Sequence, residues 1–293
     1  FVVVQSAVPV QRWTFGLNIN AETDLDWQVV FQDTLETGFG DYPYRENRTH
    51  DGSISSIGLG GAYMFGALAV GLEGSVISGS LRQVFRRDFE PAIEDPTNEI
   101  LPAFGESRWA FSGWRLRGGV TGRIGRRAIL SAAVTKYSQL SAEKDTFGIR
   151  IETRKFDMPL ELTLGGSTRI GEHFMLALAG GWKGWSSTDF TVLDVESSDV
   201  LWAGGGLEYA ALRIGNIPLP LRAGYRFTDL PFHSAGFEQL SEQAFTFGLG
   251  AYIAGGRATL DLAFDFGSRG DFPATGSAER FSRLSLSMGI SGR

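Results

Sequence analysis

Residues 245–267 read FTFGLGAYIAGGRATLDLAFDFG. Phe245, Phe247, Leu249, Ala251 and Ile253 fall on one side of an extended chain, and Thr246, Gly248, Gly250 and Tyr252 on the other. After a turn at Gly255-Gly256 the alternation resumes, with Ala258, Leu260, Leu262, Phe264 and Phe266 against Thr259, Asp261, Ala263, Asp265 and Gly267. Leu284, Leu286, Met288 and Ile290 repeat it against Arg283, Ser285, Ser287 and Gly289. A period of two puts alternate side chains on opposite faces of a sheet, so one face meets an apolar medium and the other a polar one. Strands this long, apolar on one side and charged on the other, predict an all-β fold: a transmembrane antiparallel up-and-down β-barrel with a wet interior.

Composition agrees. The chain has 293 residues, 39 of them Gly, and no Cys. Mean hydropathy is −0.04, and no run of apolar residues is long enough for a transmembrane helix. A barrel hides from hydropathy because its outward and inward residues cancel in any window. Net charge is −6, and without a basic stripe or arm nucleic acid is not an expected partner. The chain does not begin with Met, and no signal peptide precedes Phe1. An exported protein would therefore be represented by a mature or incomplete chain.

Twelve strands are predicted, near 11–20, 53–65, 68–86, 106–123, 128–141, 149–168, 173–185, 199–212, 219–229, 242–254, 256–268 and 280–291. Their links alternate between short and long, which places the short turns and the C-terminus in the periplasm and the long loops outside. Trp27 to Phe31 reads as an extracellular continuation of the first hairpin. In 106–123 the apolar residues switch from odd positions (Trp109, Phe111) to even ones (Trp114, Leu116, Val120), which predicts a β-bulge near Gly113. Phe1 to Ser6 reads as the end of a descending strand and Ala7 to Val10 as its turn. Residues 1–293 are thus expected to form a single barrel domain, with about fourteen strands in the complete protein.

The inward set includes Glu73, Arg115, Arg117, Glu161, Lys183, Glu208, Arg222, Arg226, Asp261, Asp265 and Arg283. Paired charges that solvate a barrel interior account for it; so would a polar wall in which Arg115, Arg117, Arg222 and Arg226 meet a carboxylate head group. Trp13, Tyr63, Trp182, Tyr209 and Tyr225 are placed for interfacial girdles. The loops carry Ile100, Leu101, Phe104, Phe232, Ala235, Phe237 and Phe272. Such residues bury against one another, or capture a hydrophobic ligand or partner; Leu101, Phe104, Phe232 and Phe237 are the candidates for capture.

Catalytic chemistry is not expected. The only His residues are His50, His173 and His233, and none falls mid-strand beside a strand Ser as a Ser-His-Asp hydrolase would need. A His/Cys metal site is not expected either, and no cofactor is implied. Asp24 and Asp26, or Glu94 and Asp95, are acidic loop residues of the kind that bind calcium or are simply solvated.

Several stretches resemble the FadL-type family of outer-membrane transporters for long-chain fatty acids and other hydrophobic compounds. Ser6-Ala7-Val8-Pro9 ahead of Arg12 to Leu17 is similar to that family's second turn and third strand. Gly60-Gly61-Ala62-Tyr63 with Leu68 to Leu72 is similar to the next hairpin, and Leu260 to Gly270 with Glu279 to Leu286 to the last one. The resemblance implies a barrel in the bacterial outer membrane, with the bilayer and a hydrophobic small molecule as partners and passive transport as the function. It also implies an N-terminal hatch bearing Asn-Pro-Ala, and that motif does not occur in this chain. Two alternatives stay open: a protein-binding barrel of a secretion system (a type IX-like cargo anchor), with a protein partner at the extracellular face or in the lumen, or a general diffusion porin.

Overall fold

A computed structural model describes residues 3–37, 40–90, 101–146, 149–188, 195–234, 237–276 and 278–291. The elements of the first half are β1 (Val3–Val10), β2 (Trp13–Asp24), β3 (Trp27–Thr37), β4 (Gly40–Phe65), β5 (Leu68–Phe89), β6 (Ala103–Ile124), β7 (Ala128–Tyr137), β8 (Leu140–Thr146) and β9 (Ile149–Phe156). Then come β10 (Glu161–Ile170), β11 (Phe174–Lys183), β12 (Val195–Ser197), β13 (Val200–Tyr209), β14 (Arg213–Ile214), β15 (Ile217–Pro218) and β16 (Leu221–Asp229). The chain closes with β17 (Phe232–Ser234), β18 (Ser241–Ile253), β19 (Ala258–Arg269), the single-turn helix α1 (Phe272–Thr275) and β20 (Glu279–Ile290).

Thirteen strands form one antiparallel wall in the order β1-β2-β4-β5-β6-β7-β10-β11-β13-β16-β18-β19-β20. That is one more than the twelve predicted, because β1 is a paired strand running through Val10. Among the described residues β1 and β20 share no pairing and form the two ends of the wall. The wall is strongly curved. On a flat sheet β2 and β6 would stand roughly 14 Å apart, at about 4.8 Å per interval, yet the Arg115 Nη1 of β6 lies 2.5 Å from the Glu22 carboxylate of β2.

The tight turns that join β1 to β2, β4 to β5, β6 to β7, β10 to β11, β13 to β16 and β18 to β19 lie at one end of the wall, and each contains a residue with positive φ: Gln11, Gly66, Gly125, Gly171, Gly215 or Gly255. Five of these are glycine, which adopts that conformation without strain; Gln11 is the exception. At the opposite end β3, β4, β5 and β6 rise as a tall extension. Trp27 to Phe31 therefore continues the first hairpin, as expected. Gly52 and Gly79 sit where the extension meets the barrel. A Cβ on Gly79 would lie 2.4 Å from the Ser53 carbonyl oxygen, and one on Gly52 would lie 2.1 Å from that of Ser80. Without a side chain at these two positions the β4 and β5 backbones can approach this closely.

Three predictions about local geometry are overturned. The β5–β6 register runs without a shift from Leu68↔Gly122 to Arg87↔Ala103, so there is no bulge at Gly113. The odd positions of β6 face inward throughout; their chemistry changes from aromatic to basic along the strand. The predicted strand 149–168 is two strands, β9 and β10, separated at Asp157 to Leu160 with Pro159 fully buried. Proline lacks the ladder donor and disfavours regular pairing. The predicted strand 128–141 likewise stops at Tyr137, and the chain departs into a β8–β9 hairpin that pairs with the upper part of β6.

Prolines apart, only seven apolar side chains are buried among those described: Tyr42, Ile77, Leu81, Tyr137, Ala142, Val200 and Ala244. A water-soluble chain of this length would bury far more. Meanwhile Leu59, Val76, Leu164, Leu284 and Leu286 are each about two-thirds exposed on the outer face. A band of that extent is stable only where the surrounding medium is itself apolar. Trp13 meets Tyr63 edge-on at 4.8 Å, and Phe174 packs on Tyr209 at 5.0 Å, both close to the tight turns. Trp114, Trp182 and Tyr225 lie further up the outer face. These are girdle positions of a transmembrane barrel.

Candidate functional site

The inner wall is layered. Uppermost is a basin of about 740 Å³ on the inner side of the extension, lined in part by Trp27, Arg48, His50, Phe85, Arg87 and Lys144. Trp27 stacks on His50 with ring centroids 3.7 Å apart. Burial and the neighbouring Arg48 lower the His50 pKa from its ordinary 6.5, so the ring is neutral at pH 7. Arg48 and Arg87 both bind one carboxylate, that of the buried Glu46, at 2.5 Å each. Burial opposes that charge, but hydrogen bonds from Arg87 and Arg48 outweigh it and hold Glu46 below its usual range. The Arg87 guanidinium also lies 4.3 Å from the Tyr44 ring centre, and the Lys144 ammonium 5.4 Å from that of Trp109. Each such cation–π contact contributes about 0.5–1 kcal/mol where exposed.

Below the basin the inward positions turn apolar: Trp109 and Phe111 on β6, Leu81 and Ile77 on β5. Ile77 and Leu81 are buried, and the Trp109 indole N–H donates to Gln83 Oε1 at 3.0 Å.

Next comes a polar belt centred on Arg115, which is 3% exposed. Its guanidinium contacts Glu22 at 2.5 Å, Glu73 at 3.3 Å, Ser75 at 3.3 Å and Ser56 at 3.4 Å. Glu22 reaches it because the β2–β4 register slips between Ala21 and Thr23, leaving Glu22 as the extra residue of a bulge. Further round, Tyr137 donates to Glu161, which also pairs with Lys183 at 3.0 Å.

Under the belt is a chamber of about 390 Å³ whose inward lining is mostly small: Gly60, Ala62, Gly71, Gly119 and Ala133, with Arg117 at its upper edge. On the opposite arc a second charged group joins β13, β16 and β19. Arg222 binds Glu208 at 2.7 Å and also the Asp261 carboxylate. Above it Glu242 binds Arg226 at 2.9 Å and Arg269 at 2.6 Å. This group bounds a smaller cavity of about 250 Å³.

No family model matches this sequence, and no curated protein does either. Two solved structures have a similar fold. The toluene transporter TbuX of Ralstonia pickettii aligns with a TM-score of 0.57 and 16% identity over 90% of this chain and 75% of its own. The toluene transporter TodX of Pseudomonas putida aligns at 0.53 and 15%, over 98% and 79%. The chain has the fold of a FadL-type barrel.

Within this FadL-type barrel the predicted site residues separate. All four arginines face inward, but three are committed to carboxylates: Arg115 to Glu22 and Glu73, Arg222 to Glu208 and Asp261, Arg226 to Glu242. Arg117 differs: its Nε donates to Thr135 at 3.1 Å, and it has no ion pair within 4.0 Å among the described residues. The four loop residues do not form one patch. Phe104 projects from the outward face of β6 and is 62% exposed, with Leu101 just before it at 80%. Phe232 packs edge-on to Trp185 at 5.1 Å in the small β12–β17 sheet. Phe237 lies beside α1, where a Cβ on Gly276 would lie 2.9 Å from its ring. Ile100, Ala235, Glu94 and Asp95 lie outside the described residues. Sequence reasoning missed Glu22, Trp109, Phe111 and Lys144. The apolar odd positions of β6 were the signal for two of them, read as a bulge.

His233 does come within reach of a serine, with Nε2 3.0 Å from Ser198 Oγ in the loop cluster. Its Nδ1 is buried without a hydrogen-bond partner among the described residues. Among the described residues no carboxylate orients this imidazole as a Ser-His-Asp triad would require.

Proposed function

We propose that this chain carries hydrophobic small molecules passively across the bacterial outer membrane, with the tight turns and C-terminus on the periplasmic side. The observation that carries the reading is the inward apolar layer of Trp109, Phe111, Ile77 and Leu81 beneath a wide basin. A diffusion porin keeps its lumen polar so that water fills it. An apolar layer favours a solute that gains by leaving water, at about 25 cal/mol per Å² buried. The similar fold of two toluene transporters supports the same class of cargo. A long-chain fatty acid is a second member of that class.

The test is expression-dependent uptake of radiolabelled toluene and oleate by intact Gram-negative cells, whose lipopolysaccharide otherwise slows hydrophobic solutes. Wild-type protein should accelerate uptake of at least one of them. Phe111→Asp, if it still migrates as a folded, heat-modifiable barrel, should reduce that uptake towards the empty-vector level. Uptake of both probes at the empty-vector rate with wild-type protein would overturn the proposal.

A further inference from the structure

The upper basin combines two chemistries that a purely hydrocarbon cargo would not need. One is aromatic: Trp27 stacked on a neutral His50 and Phe85 on β5 line the cavity, and Trp109 lies against the lining residue Lys144. The other is cationic. Arg48, Arg87 and Lys144 all line the cavity, while Glu46 is the one carboxylate that Arg48 and Arg87 share. The remaining acid in the lining, Glu106, is held by Arg82 at 2.9 Å and Arg108 at 3.3 Å. Lys144 forms no ion pair within 4.0 Å among the described residues, and its recorded contact is the face of Trp109. Positive charge in the lining therefore exceeds negative charge, and it stands beside ring faces. A positive cleft with low-dielectric walls concentrates anions, and an ammonium close to an indole places a carboxylate site next to a stacking surface.

We infer that the basin selects aromatic monocarboxylates: the ring packs among Trp27, Phe85 and Trp109, and the carboxylate accepts from Lys144 with help from Arg48. This rests on the transport reading and names a cargo class for it. The carboxylate would then meet Arg117 below the belt, the predicted arginine without a carboxylate partner among the described residues.

The test uses the full chain in detergent micelles and three probes of matched shape: 4-methylbenzoate, para-xylene and 4-methylbenzylammonium. Binding is followed by quenching of tryptophan emission and by calorimetry at low salt. The methylbenzoate should bind roughly tenfold more tightly than xylene, the scale of one charge-assisted hydrogen bond, and the ammonium should bind most weakly. That order should flatten as salt rises. Lys144→Gln should collapse the benzoate-to-xylene ratio, and Arg48→Gln, at a half-exposed position, should lower it less. Equal binding of benzoate and xylene by wild-type protein would overturn the inference, as would an unchanged ratio in Lys144→Gln. If toluene uptake persists while benzoate shows no advantage, only the selectivity fails; if no probe binds and no uptake occurs, the transport reading itself fails.

Discussion

Arg115 and Arg222 occupy the same kind of position: an inward site on a wall strand, with acids on other strands of the wall. Arg115 is 3% exposed and shares a polar web drawn from β2, β4 and β5. Arg222 is 38% exposed and forms two ion pairs along an open stretch of wall. The difference arises from Glu22. A one-residue bulge turns that carboxylate across the concave face and covers Arg115, whereas the β16–β18 and β18–β19 ladders beside Arg222 run without a shift. Identical chemistry thus makes a closed belt on one arc and a solvated lining on the other.

The largest expected effect contrasts the two directly. Arg115→Ala leaves Glu22 and Glu73 without their cation and should cost about 3 kcal/mol, the lower end of the range for breaking a buried pair. Arg222→Ala should cost about 1 kcal/mol or less, because lumen water screens what remains. Urea titration of the protein folded into lipid vesicles measures both, and equal losses would break the comparison. Next comes the outer face, where neither arc tolerates charge. Leu164→Arg, at a position 67% exposed, should cost about 2 kcal/mol, the lower end of the range for an arginine facing lipid near the bilayer midplane. A neutral result in the same titration would mean that this face is not in lipid.

The smallest effect concerns Glu46, a third acid–base cluster lying outside the bilayer. Its pKa is lowered in the folded protein, so its stabilisation is complete above the ordinary 4.5 and is lost as pH falls through the lowered value. Glu46→Gln should therefore cost about 1 kcal/mol at pH 7. The gap from wild type should stay constant between about pH 5 and 8 and close at lower pH. A gap that widened on acidification would reverse the assigned direction.

Much of the wall was legible because strand alternation needs no tertiary information. Phe245 to Ile253 and Ala258 to Phe266 declare their two faces in the sequence, and the structure pairs them in register. Misreadings arose where neighbours override the local pattern. At Trp109 and Phe111 apolar residues point inward, and alternation alone cannot say which medium an apolar side chain meets. At Pro159 a buried proline divides what read as one strand. The candidate site was less legible still. Its arginines were found by position, but their commitment to Glu22, Glu208, Asp261 and Glu242 depends on which strands lie side by side.

The fold class, the separation of short turns from long loops, and the inward set of charges follow from local pattern, because a period of two and turn-forming residues are properties of short segments. Which charges cancel, and where the inner wall is aromatic, emerge from the pairing of strands far apart in the chain. So does the lining of one basin by Arg48, Arg87 and Lys144, because those facts depend on the curvature and register that bring distant strands together.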